Sequence, residues 1–162
     1  MSAVIAIPET PKLDYRPLTE ADLARVAAIE AGAYVFPWTF GNFRDSLLSG
    51  YQCIGCWTGR ELIGYAIVMA ALEEAHLLNF AVDSCWQRRG VGTLFLQHLV
   101  DGVRNQRLEM LYLEVRPSNV SAVRMYERFG FRQLGLRRDY YPSIAGREDA
   151  LFLGLNLAQP VI

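Results

Sequence analysis

Lysine is almost absent from this chain of 162 residues: Lys12 is the only one, and the other fifteen basic residues are arginines. A phosphate-binding loop of the Walker type requires a lysine within a glycine-rich stretch, and Lys12 lies in no such stretch. The sequence therefore excludes that nucleotide-binding motif. The arginines either reflect a GC-rich genome or supply planar donors for phosphate and carboxylate groups, and composition leaves both explanations open.

Metal ligands and nucleophiles are also scarce. Cys53 and Cys56 form a C-x-x-C pair inside a predicted strand, where an offset of three residues directs them to opposite faces. Cys85 stands alone, and His76 and His98 are too scattered to indicate a metal site. The nucleophile motif G-x-S-x-G does not occur. We therefore expect neither a metal cofactor nor a disulfide.

Long apolar runs and a strong net charge are missing as well. No apolar stretch reaches the ~18 residues of a membrane-spanning helix, and residues 1–11 lack the basic segment of a signal peptide. A net charge of −1 gives no general attraction to nucleic acid or to a membrane surface. We expect a cytoplasmic protein with reduced cysteines and with neither of those partners, as a monomer or a weak homo-oligomer.

The length and the apolar fraction of 52% predict one globular domain with a substantial core. Residues 1–12, which contain Pro8 and Pro11, are expected to form a flexible leader, and residues 13–162 are expected to form the domain. Neither an internal repeat nor a linker interrupts the domain.

Apolar periodicity predicts four helices and at least six strands. Thr19 and Asp22 form a capping pair before a first helix, and Ser118 or Asn119 caps a later one. The other helices are predicted at residues 39–48 and 90–104, and the strands at residues 52–57, 61–71, 75–82, 110–116, 131–140 and 149–157. This order predicts an α/β (α+β) fold with a mixed sheet, helices on both faces and a right-handed crossover between two parallel strands.

A glycine-rich turn lies between the strand that ends at Val82 and the helix that begins at Gly90. Residues 87–92 read QRRGVG. Glycine allows close approach of a ligand to the backbone, and the first N–H groups of a helix attract anions. Arg88 or Arg89 can add charge, whereas Phe95 occupies the position of the third glycine of a Rossmann fingerprint. The turn is either an ordinary helix start or a pyrophosphate site.

Two residues in the second half could carry proton transfer. Tyr112, Glu114 and Arg116 share one face of a predicted internal strand, where a carboxylate is costly unless it is solvated, paired or functional. Glu114 is therefore either a partner of Arg116 or Arg124 or a general base. Tyr126 lies on the apolar stripe of the helix at residues 119–129 and could be an ordinary core aromatic.

Several segments together resemble the GNAT superfamily of N-acetyltransferases. The pattern Q/R-x-x-G-x-G/A between a strand and a helix is the acetyl-CoA signature of that superfamily, and NFAVD (residues 79–83) precedes it. LEVR (113–116), SN (118–119) and MYERFGF (125–131) follow in the expected order, so the resemblance covers roughly residues 13–157. It implies a single-domain, mostly antiparallel, seven-stranded sheet and acetyl-CoA as cosubstrate.

Within the superfamily the chain resembles the RimI-type ribosomal-protein-alanine N-acetyltransferases. The segments FPW (36–38), LEVR, RDYYP (138–142) and GREDA (146–150) carry this narrower resemblance. The sequence departs from the family in the leader before Leu13 and at Ile144 and Ala145, where polar residues are commoner. The second departure lies in a predicted loop beside the substrate groove.

The resemblance implies a role for each candidate residue. Glu114 would be the general base, directly or through a water molecule, and Tyr126 the general acid at the departing sulfur. The backbone N–H of Val82 or a neighbour would polarise the thioester carbonyl. The cofactor-binding candidates are Phe80, Ala81, Val82, Gln87, Arg88, Arg89, Gly90, Val91, Gly92, Thr93 and Asn119, and the substrate-binding candidates are Trp38, Tyr140, Tyr141 and Glu148.

The activity that the resemblance implies is transfer of an acetyl group from acetyl-CoA to the N-terminal alanine of a small-subunit ribosomal protein, whose N-terminus is the partner. Two alternatives stay open. The enzyme could acetylate a small amine or a lysine side chain, or the chain could be a CoA-binding module without catalysis. Asn119 could equally serve only as a helix cap, and the aromatic candidates could be ordinary packing.

Overall fold

The computed structural model describes residues 10–158, so residues 1–9 of the predicted leader lie outside the described part of the chain. The strands are β1 (Asp14–Pro17), β2 (Gln52–Thr58), β3 (Glu61–Ala71), β4 (Glu74–Val82), β5 (Met110–Val115), β6 (Arg132–Ser143) and β7 (Gly146–Asn156). The α-helices are α1 (Leu23–Ala33), α2 (Phe40–Leu48), α3 (Val91–Asn105) and α4 (Val120–Phe129). Short 3-10 turns precede α1 and α3.

All seven strands form one sheet in the order β1-β2-β3-β4-β5-β7-β6. β4 and β5 are parallel, whereas the other neighbouring pairs are antiparallel. The parallel pair arises because α3 carries the chain from the end of β4 back to the start of β5. The predicted class, a mixed and mostly antiparallel seven-stranded sheet within a single domain, is confirmed.

Helices cover both faces of the sheet, as predicted. On the α1–α2 face, the helix residues Val26 and Phe43 pack in one core with Tyr65 of β3. On the α3–α4 face, Phe95 and Tyr126 belong to a second core, which includes alternate residues of β5. Full burial of an apolar side chain of this size contributes about 1.5–3 kcal/mol, so the two cores fix both helical layers against the sheet.

The ends of the helices follow the predicted caps. Thr19 and Asp22 form a capping box at the turn that leads into α1. Asn119, rather than Ser118, caps α4 with its side chain. Gly130 ends that helix with a φ of 105°, a conformation that glycine adopts without strain.

The structure differs from the prediction at β1 and at the hairpin formed by β6 and β7. β1 was not located by periodicity, because the strand has only four residues and ends at Pro17. β6 and β7 run through most of the predicted connection between residues 140 and 149. A bulge between Arg137 and Tyr141 takes up the extra residues, with Asp139 at a φ of 51°. The turn-forming residues of this segment therefore mark a bulge and a tight hairpin.

The two cysteines of the C-x-x-C pair lie on opposite faces of β2, as predicted. Cys53 belongs to the α1–α2 core and Cys56 to the α3–α4 core. Burial raises the pKa of Cys53 to about 11 and that of Cys56 to about 12. Both thiols are free and stay protonated at neutral pH, so they act as small core residues.

Candidate active site

The two parallel strands separate partway along their length. They pair from Glu74 with Met110 to Leu77 with Leu113. Beyond that point, among the described residues, β4 continues beside β3 alone and β5 beside β7 alone. The sheet therefore opens into a wedge between the ends of β4 and β5, which we call the cleft.

Every second residue near the end of β4 directs its backbone N–H and carbonyl groups into the cleft. The Asp83 N–H donates to the Ile63 carbonyl of β3 at 2.7 Å, so the N–H groups of Phe80 and Val82 point away from β3 and into the cleft. The Phe80 carbonyl, on the same side, accepts a hydrogen bond from the Tyr34 hydroxyl at 2.7 Å. The predicted carbonyl-polarising group, the Val82 N–H, thus lies at the cleft.

Helix α3 begins beside the end of β4. A Cβ atom built on Gly92 would lie 3.9 Å from Val82 Cγ2. Gly90 is the N-cap, with a φ of 80°, and no side chain among residues 10–158 caps the helix there. By contrast, the Asn119 side chain accepts from an amide at the start of α4. The first amides of α3 are therefore available to an anion.

Polar side chains surround this helix start. Gln87 Nε2 donates to the Val82 carbonyl at 3.0 Å, which ties the loop to the end of β4. The guanidinium carbon of Arg89 lies 4.9 Å from the centre of the Trp86 ring, and Arg88 is exposed with a φ of 61°. The structure thus brings residues 87–93 next to residues 80–82, although ligand contacts at both stay predictions.

Glu114 projects from β5 at the mouth of the cleft, on the α1–α2 face. Leu113 and Val115 are buried in the α3–α4 core, and the alternation of a strand places Glu114 opposite them. The side chain is 18% exposed, and its Oε1 lies 3.4 Å from Arg137 Nη2. The predicted ion-pair partners, Arg116 and Arg124, are wrong, because the strand pairing brings Arg137 of β6 to this carboxylate.

Three phenols, those of Tyr34, Tyr126 and Tyr141, have raised pKa values. Burial raises the pKa of Tyr126 well above its ordinary value, and the neighbouring Tyr34 and Tyr141 raise it further. Burial likewise raises the pKa of Tyr34 and of Tyr141. Tyr126 also packs edge-on against Phe131, with ring centres 5.4 Å apart, so it is a core aromatic as well as a candidate acid. All three phenols are protonated at neutral pH.

Arg116 connects the walls around the cleft. Its Nη1 donates to the Pro142 carbonyl at 2.8 Å and to Glu148 Oε1 at 3.3 Å. Its guanidinium carbon lies 4.3 Å from the centre of the Tyr141 ring. Glu148 also accepts from the Ser118 hydroxyl at 2.9 Å, and these bonds hold its pKa below the usual range. The Glu148 carboxylate is thus engaged with residues of this chain.

The aromatic substrate candidates divide into packed and exposed residues. Trp38 is partly buried, with its ring centre 5.3 Å from that of Phe43, so it supports the α1–α2 core. Tyr140 is 44% exposed and packs edge-on against Tyr141. Phe36, which is 43% exposed, was not among the predicted substrate-binding residues. Its place in the FPW segment could have indicated it.

Tyr34 and Arg137 were also missed by sequence reasoning. Tyr34 lies two positions before the FPW segment, so its place next to that segment was a usable signal. Arg137 lies in a strand whose register could not be read from the sequence.

Residues 10–158 contain neither a cluster of metal-binding side chains nor a helix that could cross a membrane. No group of three or more His, Cys, Asp or Glu residues there could hold a metal ion. None of the helices in that range has the length and apolar character needed to cross a membrane.

Comparisons with known proteins agree with this geometry. The model of the acetyltransferase (GNAT) family matches residues 23–131. The ribosomal protein bS18-alanine N-acetyltransferase of Salmonella typhimurium is 37% identical over 141 residues, which is 87% of this chain and 95% of that protein. The N-alpha-acetyltransferase RimI of Mycobacterium tuberculosis is 36% identical over 131 residues, 76% of this chain and 81% of that protein.

A solved structure shows the same architecture. The crystal structure of the ribosomal-protein-S18-alanine N-acetyltransferase from Escherichia coli is similar with a TM-score of 0.86 and 35% sequence identity. The similarity covers 93% of this chain and 97% of that one. The likeness therefore extends over most of the chain.

Proposed function

We propose that this chain, which belongs to the GNAT family of acetyltransferases, acetylates proteins whose first residue is alanine. It would transfer the acetyl group from acetyl-CoA to the α-amine of that residue. The acceptor that we propose is the N-terminal alanine of a small-subunit ribosomal protein of the S18 type. This acceptor is the one that the related bS18-alanine N-acetyltransferases are named for, and their sequence identity over most of the chain supports assigning it to this protein. Such a substrate is synthesised in the cytoplasm, which is the proposed location.

The separation of β4 from β5 beside an uncapped helix start is the observation that carries this proposal. Acetyltransferases of this family use acetyl-CoA. The amides at the start of α3 would hold its pyrophosphate, with added charge from Arg88 and Arg89. The backbone of residues 80–82 would pair with the pantetheine amides as an added strand does. Residues 13–162 would act as one catalytic domain.

The residues around the cleft can carry out each proton transfer. Glu114 would accept a proton from the acceptor ammonium, directly or through water, because an α-amine with a pKa of about 8 is mostly protonated at pH 7. The Val82 N–H would stabilise the negative charge that develops on the acetyl oxygen as the C–N bond forms. Tyr126 would donate its proton to the sulfur as the C–S bond breaks. The cosubstrate supplies the activated acetyl thioester.

The substrate groove would lie between the FPW segment and the β6–β7 hairpin. Tyr140, with its exposed ring, and Tyr141 are the proposed contacts on the hairpin. Trp38 would support the opposite wall, and Glu148 would orient the hairpin through Arg116.

An acetylation assay with one peptide and its matched control tests the proposal. The purified chain is incubated with acetyl-CoA and a short peptide that starts with alanine and contains one internal lysine. Its matched control is the same peptide with a blocked N-terminus, and mass spectrometry locates the acetyl group. We expect modification of the free α-amine and none of the control. Acetylation of the lysine or of free small amines would favour the second enzyme class, and binding of acetyl-CoA without turnover would favour a non-catalytic module.

A further inference from the structure

Glu30, near the end of α1, has a buried carboxylate. The residue is only 2% exposed, and Glu30 and Ser46 are the buried polar residues of the described chain. Within that part of the chain, no lysine, arginine or histidine nitrogen lies within 4.0 Å of the Glu30 carboxylate. A buried carboxylate without a cation is costly unless several donors bond to it.

Three neutral donors from three different segments satisfy this carboxylate. Trp38 N–H donates to Oε1 at 3.0 Å. The Tyr65 hydroxyl of β3 and Asn79 Nδ2 of β4 both donate to Oε2, the latter at 3.1 Å. The side chain therefore joins the connection between α1 and α2 to two central strands of the sheet.

The connected stretch, residues 34–38, is attached to β4 at both of its ends. At one end, the Tyr34 hydroxyl donates to the Phe80 carbonyl. At the other, the Trp38 N–H reaches Asn79 through the carboxylate of Glu30. Asn79 and Phe80 are consecutive, and they lie on the part of β4 that borders the cleft.

Between those attachments, the stretch carries two exposed apolar side chains, and the second of them lies near the opposite wall. Val35 is 73% exposed. The Phe36 ring centre lies 5.9 Å from the guanidinium carbon of Arg116, which is bonded to Glu148 on the opposite wall. This stretch therefore forms the wall of the groove that faces the β6–β7 hairpin.

We infer that Glu30 is a positioning residue for the acceptor: it fixes the wall formed by residues 34–38 relative to the strand beside which the acetyl group would lie. The inference rests on the proposed function of the cleft. A carboxylate suits this task because both of its oxygens accept, as the three donors require. In Glu30→Gln the remaining oxygen keeps the bond from the Trp38 N–H. The NH₂ group can donate to the Tyr65 hydroxyl oxygen and, once the Asn79 amide has turned over, to Asn79 Oδ1.

Steady-state kinetics separate positioning from general stability. Glu30→Ala removes all three bonds, so kcat/KM for the alanine peptide is expected to fall by about tenfold to a hundredfold, because small displacements of an acceptor have effects of this size. The affinity for acetyl-CoA, whose pyrophosphate would bind at the start of α3, is expected to stay near the wild-type value. Glu30→Gln recovers most of the loss. Ser46→Ala, at the other buried polar side chain, is the matched control and leaves both constants unchanged.

A second measurement tests, without an activity assay, whether Glu30 holds residues 34–38 in place. Hydrogen exchange at the Trp38 amide is expected to be much faster in Glu30→Ala than in the wild type, while the amides of α3 keep their protection. If Glu30→Ala does not fold, Tyr65→Phe, which removes one of the three bonds, replaces it in both measurements. Tyr65→Phe is then expected to show an intermediate effect.

The outcomes distinguish this inference from the proposed function. Unchanged acceptor kinetics, an equal loss of acetyl-CoA affinity, or an unchanged Trp38 exchange rate in Glu30→Ala would each overturn the positioning role. If the wild-type chain leaves the peptide unmodified, the proposed function fails by itself. Exchange at Trp38 then decides whether Glu30 holds residues 34–38.

Discussion

Arg137 places a guanidinium nitrogen 3.4 Å from the carboxylate of Glu114. The contact reaches from the edge strand β6 to β5 across β7, since Glu114 is paired with Phe152 and Phe152 with Gly135, two positions before Arg137. The Arg137 guanidinium and an incoming substrate ammonium would compete for the same carboxylate. The candidate base is therefore already held in place by a residue of the hairpin that borders the groove.

Glu114→Gln is expected to lower kcat by about 10²–10⁴-fold, because the neutral amide cannot accept the ammonium proton. Acetyl-CoA affinity, measured by titration calorimetry, should stay near the wild-type value. Arg137→Gln is the matched control, since it removes the partner and leaves the carboxylate, and its effect on kcat should be smaller. An unchanged kcat in Glu114→Gln would remove this residue from the mechanism.

Tyr126→Phe keeps the packing against Phe131 and removes the proposed proton donor. The expected result is a fall in kcat of about 10²-fold or more, with little change in acetyl-CoA affinity. Stopped assays with the alanine peptide measure the first quantity, and calorimetry measures the second. Wild-type turnover in the variant would leave Tyr126 with a packing role alone.

Alkaline pH is expected to destabilise the fold. The phenols whose pKa values burial raises furthest are Tyr34, Tyr65, Tyr126 and Tyr141. In the unfolded chain a phenol loses its proton near pH 10, so above that pH the folded state binds more protons and the free energy of unfolding falls as pH rises. Below pH 10 this contribution is fully present.

Urea unfolding between pH 8 and pH 11 checks this expectation. Tyr126→Phe should lose stability less steeply than the wild type above pH 10, because one titrating phenol is gone. Tyr140→Phe, at an exposed ring, is the matched control. A free energy of unfolding that stays constant up to pH 11 would contradict the argument.

Gly90→Val is expected to abolish acetyl-CoA binding. A Cβ at this position would meet no atom of the chain within 4 Å, but the φ of 80° is unfavourable for a side chain by about 1–2 kcal/mol, more for a β-branched one. Relief of that strain would turn the first amides of α3 away from the anion. Gly102→Ala, which is also in open space on α3, should bind normally and stabilise the helix by about 0.5–1 kcal/mol. Intact binding in Gly90→Val would refute the pyrophosphate site.

Local signals were sufficient to predict most of the framework. The cap at Asn119 and the positive φ at Gly90 each depend on a few neighbouring residues, so the sequence contains them. The face of Glu114 follows from the alternation of a single strand. The bulge near Asp139 could not be predicted, because the same residue types occur in ordinary loops.

The contacts that organise the candidate site depend on register between distant strands. Arg137 meets Glu114 only because β7 lies between their strands, and the Tyr34 hydroxyl meets the Phe80 carbonyl only because β5 has moved away from β4. Composition and periodicity carry no information on such pairs. Glu30 was missed for the same reason, since its three donors come together through the fold.

The gap between β4 and β5 gives the sheet two interior borders in addition to the outer ones of β1 and β6. An unpaired strand border offers donors and acceptors to any extended chain, including one from a second molecule. β6 discourages such pairing with its bulge and its three arginines, Arg132, Arg137 and Arg138, whereas the interior border of β4 carries the apolar residues Phe80 and Val82. A ligand that pairs there would also shield the protein from self-association, so the saturated form should tolerate higher concentrations in solution.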